Sequence, residues 1–306
     1  MEKLTRYIIK RVLLAVLTVF IICALTFFLM HAIPGGPFNR EKALSATTIA
    51  ALNARYNLDK PLPEQFLIYV RELLKGDFGV SLKNGREIGT IIKESFPISA
   101  KLGLLAVTVA LTCGTVFGCL AALTRNRLPD RLIVFFSTLF TAVPSFIFAT
   151  LLLLVFSIQL GWVPVWSATS HSYILPVIAL AAYPMAYTTR LAKTSMLDAL
   201  DQDYIRTARA KGVHRWKIIF KHALRNSLIP VITYAGPEIA YIITGSMVIE
   251  TVFTVGGIGS QFVLAITNRD YTMIMATTIF LASLMVIANL ICDLLYKAVD
   301  PRIQYD

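Results

Sequence analysis

Apolar residues in this chain come in blocks of about twenty, broken by polar stretches, rather than alternating with polar ones. Six blocks fall near residues 10–30, 99–123, 132–160, 173–192, 228–250 and 273–297. Helix rising about 1.5 Å per residue crosses the roughly 30 Å hydrocarbon layer of a bilayer in twenty residues. Within that layer each backbone N–H and C=O must be satisfied inside the span, which favours helices. The pattern predicts an all-α integral membrane protein with six transmembrane helices. Between the first two blocks lies segment 31–98, the one sizeable piece outside the membrane on its side. It opens on the turn cluster Pro34-Gly35-Gly36-Pro37 and ends in Gly76-Asp77-Phe78-Gly79. In between, Ile49, Leu52 and Tyr56 share one helical face, and Phe66, Tyr69, Val70 and Leu73 another. This spacing predicts a small helical cap over the mouth of the membrane domain, too small to be a catalytic domain. The chain divides accordingly into 1–98, the first span plus external cap, and 99–306, a five-helix core.

Composition agrees: 56% of residues are hydrophobic and 15% charged, where a soluble domain would carry about a quarter charged. An even number of spans puts both termini on one side. The N-terminus, the 124–131 and 190–227 loops and the C-terminus carry eighteen Lys and Arg, against eleven on the other side. Ten of those eleven lie in 31–101, longer than the loops over which basic residues set orientation. Among the short loops, 161–172 has no Lys or Arg and 251–272 only Arg269, so both termini are placed in the cytoplasm. The net charge of +11 is spread over several loops between spans, which argues against nucleic acid as a partner. Val12–Met30 is longer than a signal-peptide core and is not followed by a small-x-small cleavage pattern, so it is expected to stay as a first span.

Chemistry-bearing residues are few. Cys23, Cys113, Cys119 and Cys292 fall inside apolar runs and are expected to pack as small apolar residues. His31, His171, His214 and His222 are scattered, so no metal site is expected. Gly114-x-x-x-Gly118 offers a close helix–helix approach, and Pro176, Pro184, Pro230 and Gly236-Pro237 predict kinked helices. Glu238 sits near the middle of the fifth block, where a carboxylate is costly. Two readings of it stand: a path-lining acid that faces water or a cationic part of the cargo, or an acid paired across helices, with Lys101 or a tyrosine such as Tyr241 as partner. Glu250 and Asp293 lie near block ends, where snorkelling or capping is expected. Thr254-Val255-Gly256-Gly257 lacks the tyrosine of a potassium-channel filter, and Val255–Ser260 reads as a tight external turn. No Gly-Lys dipeptide occurs, so a phosphate-binding G-x-x-x-x-G-K-[ST] loop is ruled out and any ATP must be handled by another chain.

The stretch Arg190–Pro230 stands apart: it holds nine of the twenty-nine Lys and Arg residues, with three Asp. Asp203 as a cap and Gly212 as a stop predict a short helix of about eight residues, roughly 12 Å long. After it, Trp216, Ile219, Phe220 and Ala223 form an apolar face while Lys217, Lys221 and Arg225 recur every four positions. That spacing predicts a second helix lying along the inner leaflet, basic face toward anionic headgroups.

Tyr204-Ile-Arg-Thr-Ala-Arg-Ala-Lys-Gly212 followed by Ser227-Leu-Ile-Pro230 resembles the E-A-A-x-x-x-G loop of ABC-importer permeases. Ala208, Gly212 and Pro230 match its general form, while Arg206 and Thr207 stand where that form has Glu and Ala. The R-T-A-R-A-K-G version is similar to the oligopeptide/dipeptide branch, as are Pro34–Pro37, Gly76–Gly79, Ile243–Glu250, Asn268–Tyr271 and Asp300–Ile303. The resemblance, closest to B-type oligopeptide permease subunits, covers nearly the whole chain. It implies a type I ABC importer permease fold in a bacterial inner membrane. It further implies a homologous second permease, two cytoplasmic ATPase subunits that bind ATP and Mg, and an external peptide-binding protein. Asp203, Tyr204, Arg206, Thr207, Ala208, Arg209, Lys211 and Gly212 would then form the ATPase-coupling loop, with Glu238, Tyr241, Gly245 and Glu250 on the translocation path. Cargo other than short peptides (nickel chelates, glutathione) and, in a different class, an ion-driven transporter using Glu238 are the alternatives.

Overall fold

The computed structural model describes residues 2–33, 59–167 and 169–299. These are helical, with one isolated antiparallel bridge between Val80 and Glu87. The elements are α1 Glu2–Ala32, α2 Leu62–Leu74, α3 Ile88–Leu123, α4 Leu128–Ala142, α5 Ser145–Leu152 and α6 Ile174–Leu200. They continue with α7 Asp203–Ala210, α8 Leu224–Ile243, α9 Met247–Val252, α10 Ile258–Asn268 and α11 Tyr271–Val299. α5 runs on as a π-helix over Leu153–Gln159, and α8 is preceded without a gap by Arg215–Lys217 and π-helical Ile218–Ala223. The turn cluster at 34–37, the 49–56 face, residues 300–303 and the Asp293 side chain lie outside the described residues.

Among the described residues, four helices are long and apolar enough to cross a membrane: Ile8–Ala32, Ile88–Leu123, Ile174–Leu200 and Tyr271–Cys292. Leu128–Ala142 and Ser145–Gln159 make a fifth if taken as one span, bent by 107°. The block at 132–160 is therefore not one rod. Pro144 has no N–H to continue α4 and pushes Val143 into an extended conformation (φ −84°, ψ 125°), so the helix stops and restarts. The block at 228–250 also breaks. α8, with Pro230 and Pro237 inside it, ends at Ile243; Gly245 takes φ +96°, and α9 restarts behind Ser246, whose hydroxyl accepts the Ile249 N–H at 3.3 Å. Nor is 251–272 a plain loop, because α10 lies within it.

Two compact units are present. The first takes in the chain up to Pro97 together with Gln261–Ile291. There the predicted 66–73 face is used: Phe66 and Tyr69 of α2 lie 5.3 and 5.9 Å from the Phe27 ring of α1. Asp270 caps α11 through the Met273 N–H (3.2 Å), and its carboxylate also accepts the Ser81 hydroxyl and the Leu82 N–H. This fastens the 79–87 turn to the start of α11.

The second unit takes in Ile98–Ser260. A Cβ on Gly114 would sit 2.7 Å from Thr188 Cβ, and one on Gly118 2.5 Å from the Thr189 carbonyl, so the G-x-x-x-G pair brings α3 and α6 into backbone contact. Gly103 does the same for α3 and the end of α8, where a Cβ would sit 2.8 Å from the Ile242 carbonyl. A buried ion pair, Lys193 Nζ to Asp130 at 2.5 Å, joins α6 to the first turn of α4.

Candidate functional site

α7 is a rod clamped on one side. Ile205 is fully buried and packs with Met196 and Ala199 of α6, Ala122 of α3, and Ile218, Ile219 and Ala223 ahead of α8. Burying an isoleucine side chain stabilises by about 1.5–3 kcal/mol, so this one contact holds an eight-residue helix that could not persist alone in water. Ala208 is half-buried against the same cluster. The Tyr204 hydroxyl accepts from Asn226 Nδ2 at 2.9 Å, a second tie to α8. Asp203, Tyr204, Arg206, Thr207, Arg209 and Lys211 remain exposed on the outer side.

Gly212 ends the rod as expected. At φ +71° it lets the Val213 N–H reach the Ala208 carbonyl (3.1 Å) and its own N–H the Arg209 carbonyl (3.0 Å). Asp203 does not cap it. Gln202 occupies the cap position without a side-chain bond, and Asp203 is the first helical residue. Its carboxylate meets Arg206 at 3.3 Å while 94% exposed, so it contributes through the helix dipole more than through the ion pair. The second helix also differs from expectation. It is continuous with α8, and its apolar face is split: Ile219 and Ala223 are buried beneath α7, while Trp216 and Phe220 stay exposed and stacked at 5.8 Å.

Both breaks in the membrane segments open on one cavity of 720 Å³. Its walls are the end of α4 with Val143 and Pro144, the start of α5, Tyr183 and Pro184 of α6, Glu238 and Tyr241 of α8, Gly245, and α9. Interrupted helices at membrane depth are tolerated where they line such a space. The structure thus brings Glu238, Tyr241 and Gly245 together. Of the partners expected for Glu238, Lys101 is placed elsewhere, 4.7 Å over the Tyr173 ring, and the tyrosine that meets it comes from its own helix. Tyr234, one turn back on α8 with its ring tilted against Tyr187 at 4.5 Å, places its hydroxyl beside the Glu238 carboxylate.

Glu250 is elsewhere. It does not line the cavity and does not snorkel, being fully buried. The break at Gly245 turns α9 back into the apolar cluster of Ala149, Leu175, Ala179, Ile249, Phe253 and Val255. There the Glu250 carboxylate accepts the Ser260 N–H at 3.1 Å, in a socket walled by Ser99 and by Gly245, Gly257 and Gly259. The Val255–Ser260 turn is therefore a wrapping around this carboxylate. Ser99 belongs to the socket too: its hydroxyl donates to the Glu250 carboxylate, and its oxygen accepts the Ile258 N–H at 2.8 Å. Ser99, Tyr204 with Asn226, and the Asp130–Lys193 pair join residues far apart in sequence, and no local pattern signals such pairings.

Residues 114–305 match the family "Binding-protein-dependent transport system inner membrane component", and residues 4–103 the corresponding N-terminal family. The chain is 43% identical over 304 residues to the oligopeptide transport system permease protein OppB of Haemophilus influenzae, covering 98% of this chain and 99% of that one. It is likewise 43% identical to the dipeptide transport system permease protein DppB of Bacillus subtilis, over 98% of each chain. DppB of Lactococcus lactis is 41% identical over 98% of this chain and its own full length. Among solved structures, an amino acid ABC transporter crystallised with histidines superposes with a TM-score of 0.54 at 17% identity, over 70% of this chain and 94% of that one.

Proposed function

The chain belongs to the inner-membrane components of binding-protein-dependent transport systems, and from that premise we propose that it is one permease subunit of an ATP-driven importer of short peptides. It is a multi-pass protein of the inner membrane. The observation that carries the coupling role is α7: one side is held on α6 and α8 by Ile205 and Tyr204, and the other is free to receive a partner.

In this reading two cytoplasmic ATPase subunits, which hold ATP and Mg, grip the exposed side of α7 through Tyr204, Arg206, Thr207, Arg209 and Lys211. Closure of the ATPases displaces the rod. Because Ile205 is packed on α6 and Tyr204 is bonded to Asn226, both helices move with it, and both wall the cavity that holds Glu238. A homologous second permease completes the path, and an external binding protein delivers the peptide. Peptide cargo is supported by the names of the relatives, which describe oligopeptide and dipeptide transport.

The test is uptake of labelled tripeptide by proteoliposomes holding this chain, its second permease, the ATPases and the binding protein. Uptake that requires ATP and is lost with Arg206→Glu, with the ATPases no longer co-purifying, supports the reading. Uptake that follows a proton gradient after ATP depletion would contradict it.

A further inference from the structure

The cavity in the second unit has one charged side chain among its described lining residues, Glu238. Around it stand Tyr183, Tyr241 and Phe148, the small polar residues Thr141, Ser145, Thr244 and Ser246, and aliphatic side chains. A carboxylate in such surroundings is poorly solvated and needs a cation or several donors close by. No Lys or Arg is among the described lining residues, and the lysines of the flanking helices have partners elsewhere: Lys101 lies over Tyr173 and Lys193 pairs with the buried Asp130. The Tyr234 hydroxyl supplies one neighbouring donor. This chain's described lining supplies no cation, which leaves the cargo as a source.

The chemistry narrows which cation. A hard metal ion asks for six to eight oxygen ligands, commonly several carboxylates, and no cluster of three His, Cys, Asp or Glu occurs among the described residues. A primary ammonium asks for less. It carries three donors that one carboxylate and neighbouring hydroxyls satisfy, and aromatic faces attract it. Tyr183 and Tyr241 are 54% and 65% exposed, so their rings are available to such a group.

Resting on the peptide-import reading, we propose that the cavity holds the α-ammonium group of the transported peptide, with Glu238 as counter-charge and the Tyr183 and Tyr241 rings beside it. The α-ammonium is the one cation that unblocked peptides share whatever their side chains. A single carboxylate in an otherwise uncharged cavity thus selects a free N-terminus without selecting sequence. Glu238 is in this account a specificity-determining residue of the permease itself, separate from any preference of the external binding protein.

The experiment measures equilibrium binding of radiolabelled trialanine and N-acetyl-trialanine to the permease–ATPase complex in nanodiscs, with the binding protein left out. The wild-type complex is expected to bind trialanine roughly ten- to a hundredfold more tightly, the worth of one charge-assisted contact. With Glu238→Gln that difference is expected to vanish, while affinity for the acetylated peptide stays the same. Equal affinities in the wild type, or a difference that survives Glu238→Gln, overturns the proposal. Should Glu238→Gln fail to assemble with the ATPases, the wild-type comparison alone decides. ATP-driven uptake of both peptides with equal binding sinks only this inference, whereas absence of any ATP-driven peptide uptake sinks the underlying reading with it.

Discussion

Glu238 and Glu250 sit twelve residues apart in one predicted span, yet the fold gives them opposite surroundings. Glu238 stays on α8 and opens on a cavity large enough for a ligand. Glu250 lies past the break at Gly245 and is sealed in a socket whose walls are glycines and Ser99. The difference lies in the backbone and not in the carboxylates. A glycine at φ +96° breaks the helix between the two carboxylates, and the segment behind it packs Glu250 against Ser99 and the glycines of the 255–260 turn. A carboxylate inside a membrane segment is thus either a structural pin or a reactive group, and the space around it separates the two.

That contrast can be broken at the socket first. At Gly257 an added Cβ would fall 2.7 Å from Glu250 Cδ and against the Ser99 hydroxyl, two buried side chains whose displacement would break the socket's hydrogen bonds. Gly257→Val is expected to destabilise by about 3 kcal/mol or more, read as loss of the monodisperse peak on heating in detergent. Glu250→Ala is expected to cost about 1–3 kcal/mol, because the Ser260 N–H loses its acceptor in a buried site. At the cavity the effect on stability is expected to be the smallest. Glu238→Gln should stay within about 0.5 kcal/mol of wild type, since its side chain faces open space, while peptide uptake falls. A Glu238 variant that melts like the socket variants would erase the distinction.

Much of this arrangement was legible in the chain. The rod at 203–210 followed from Asp203 and Gly212 as its bounds, a close helix approach to α3 from Gly114 and Gly118 (though not that α6 makes it), and the α2 face from the spacing of Phe66 and Tyr69. Each of these is written in neighbouring residues. The two breaks were hidden because Val143-Pro144-Ser145 and Thr244-Gly245-Ser246 interrupt apolar runs without lowering their hydrophobicity much. The Asp203 cap was misjudged by one position, since the chain enters the helix through an extended Gln202. The Glu250 socket and the Tyr204–Asn226 tie depend on tertiary contacts, and an isolated sequence carries no record of which distant residues meet.

The central claim is that α7 and the start of α8 move as one body, so that force applied to the rod reaches the cavity walls. It is tested most directly by fastening them. With the native cysteines replaced, Tyr204→Cys and Asn226→Cys would be joined in the assembled transporter by a reductant-cleavable, thiol-specific crosslinker long enough to replace the tyrosine–asparagine reach, and ATP-driven peptide uptake compared between crosslinked and cleaved forms of the same preparation. Equal uptake is the result this account predicts, because the two positions need not separate during the cycle. Uptake that stops on crosslinking and returns on cleavage would contradict it.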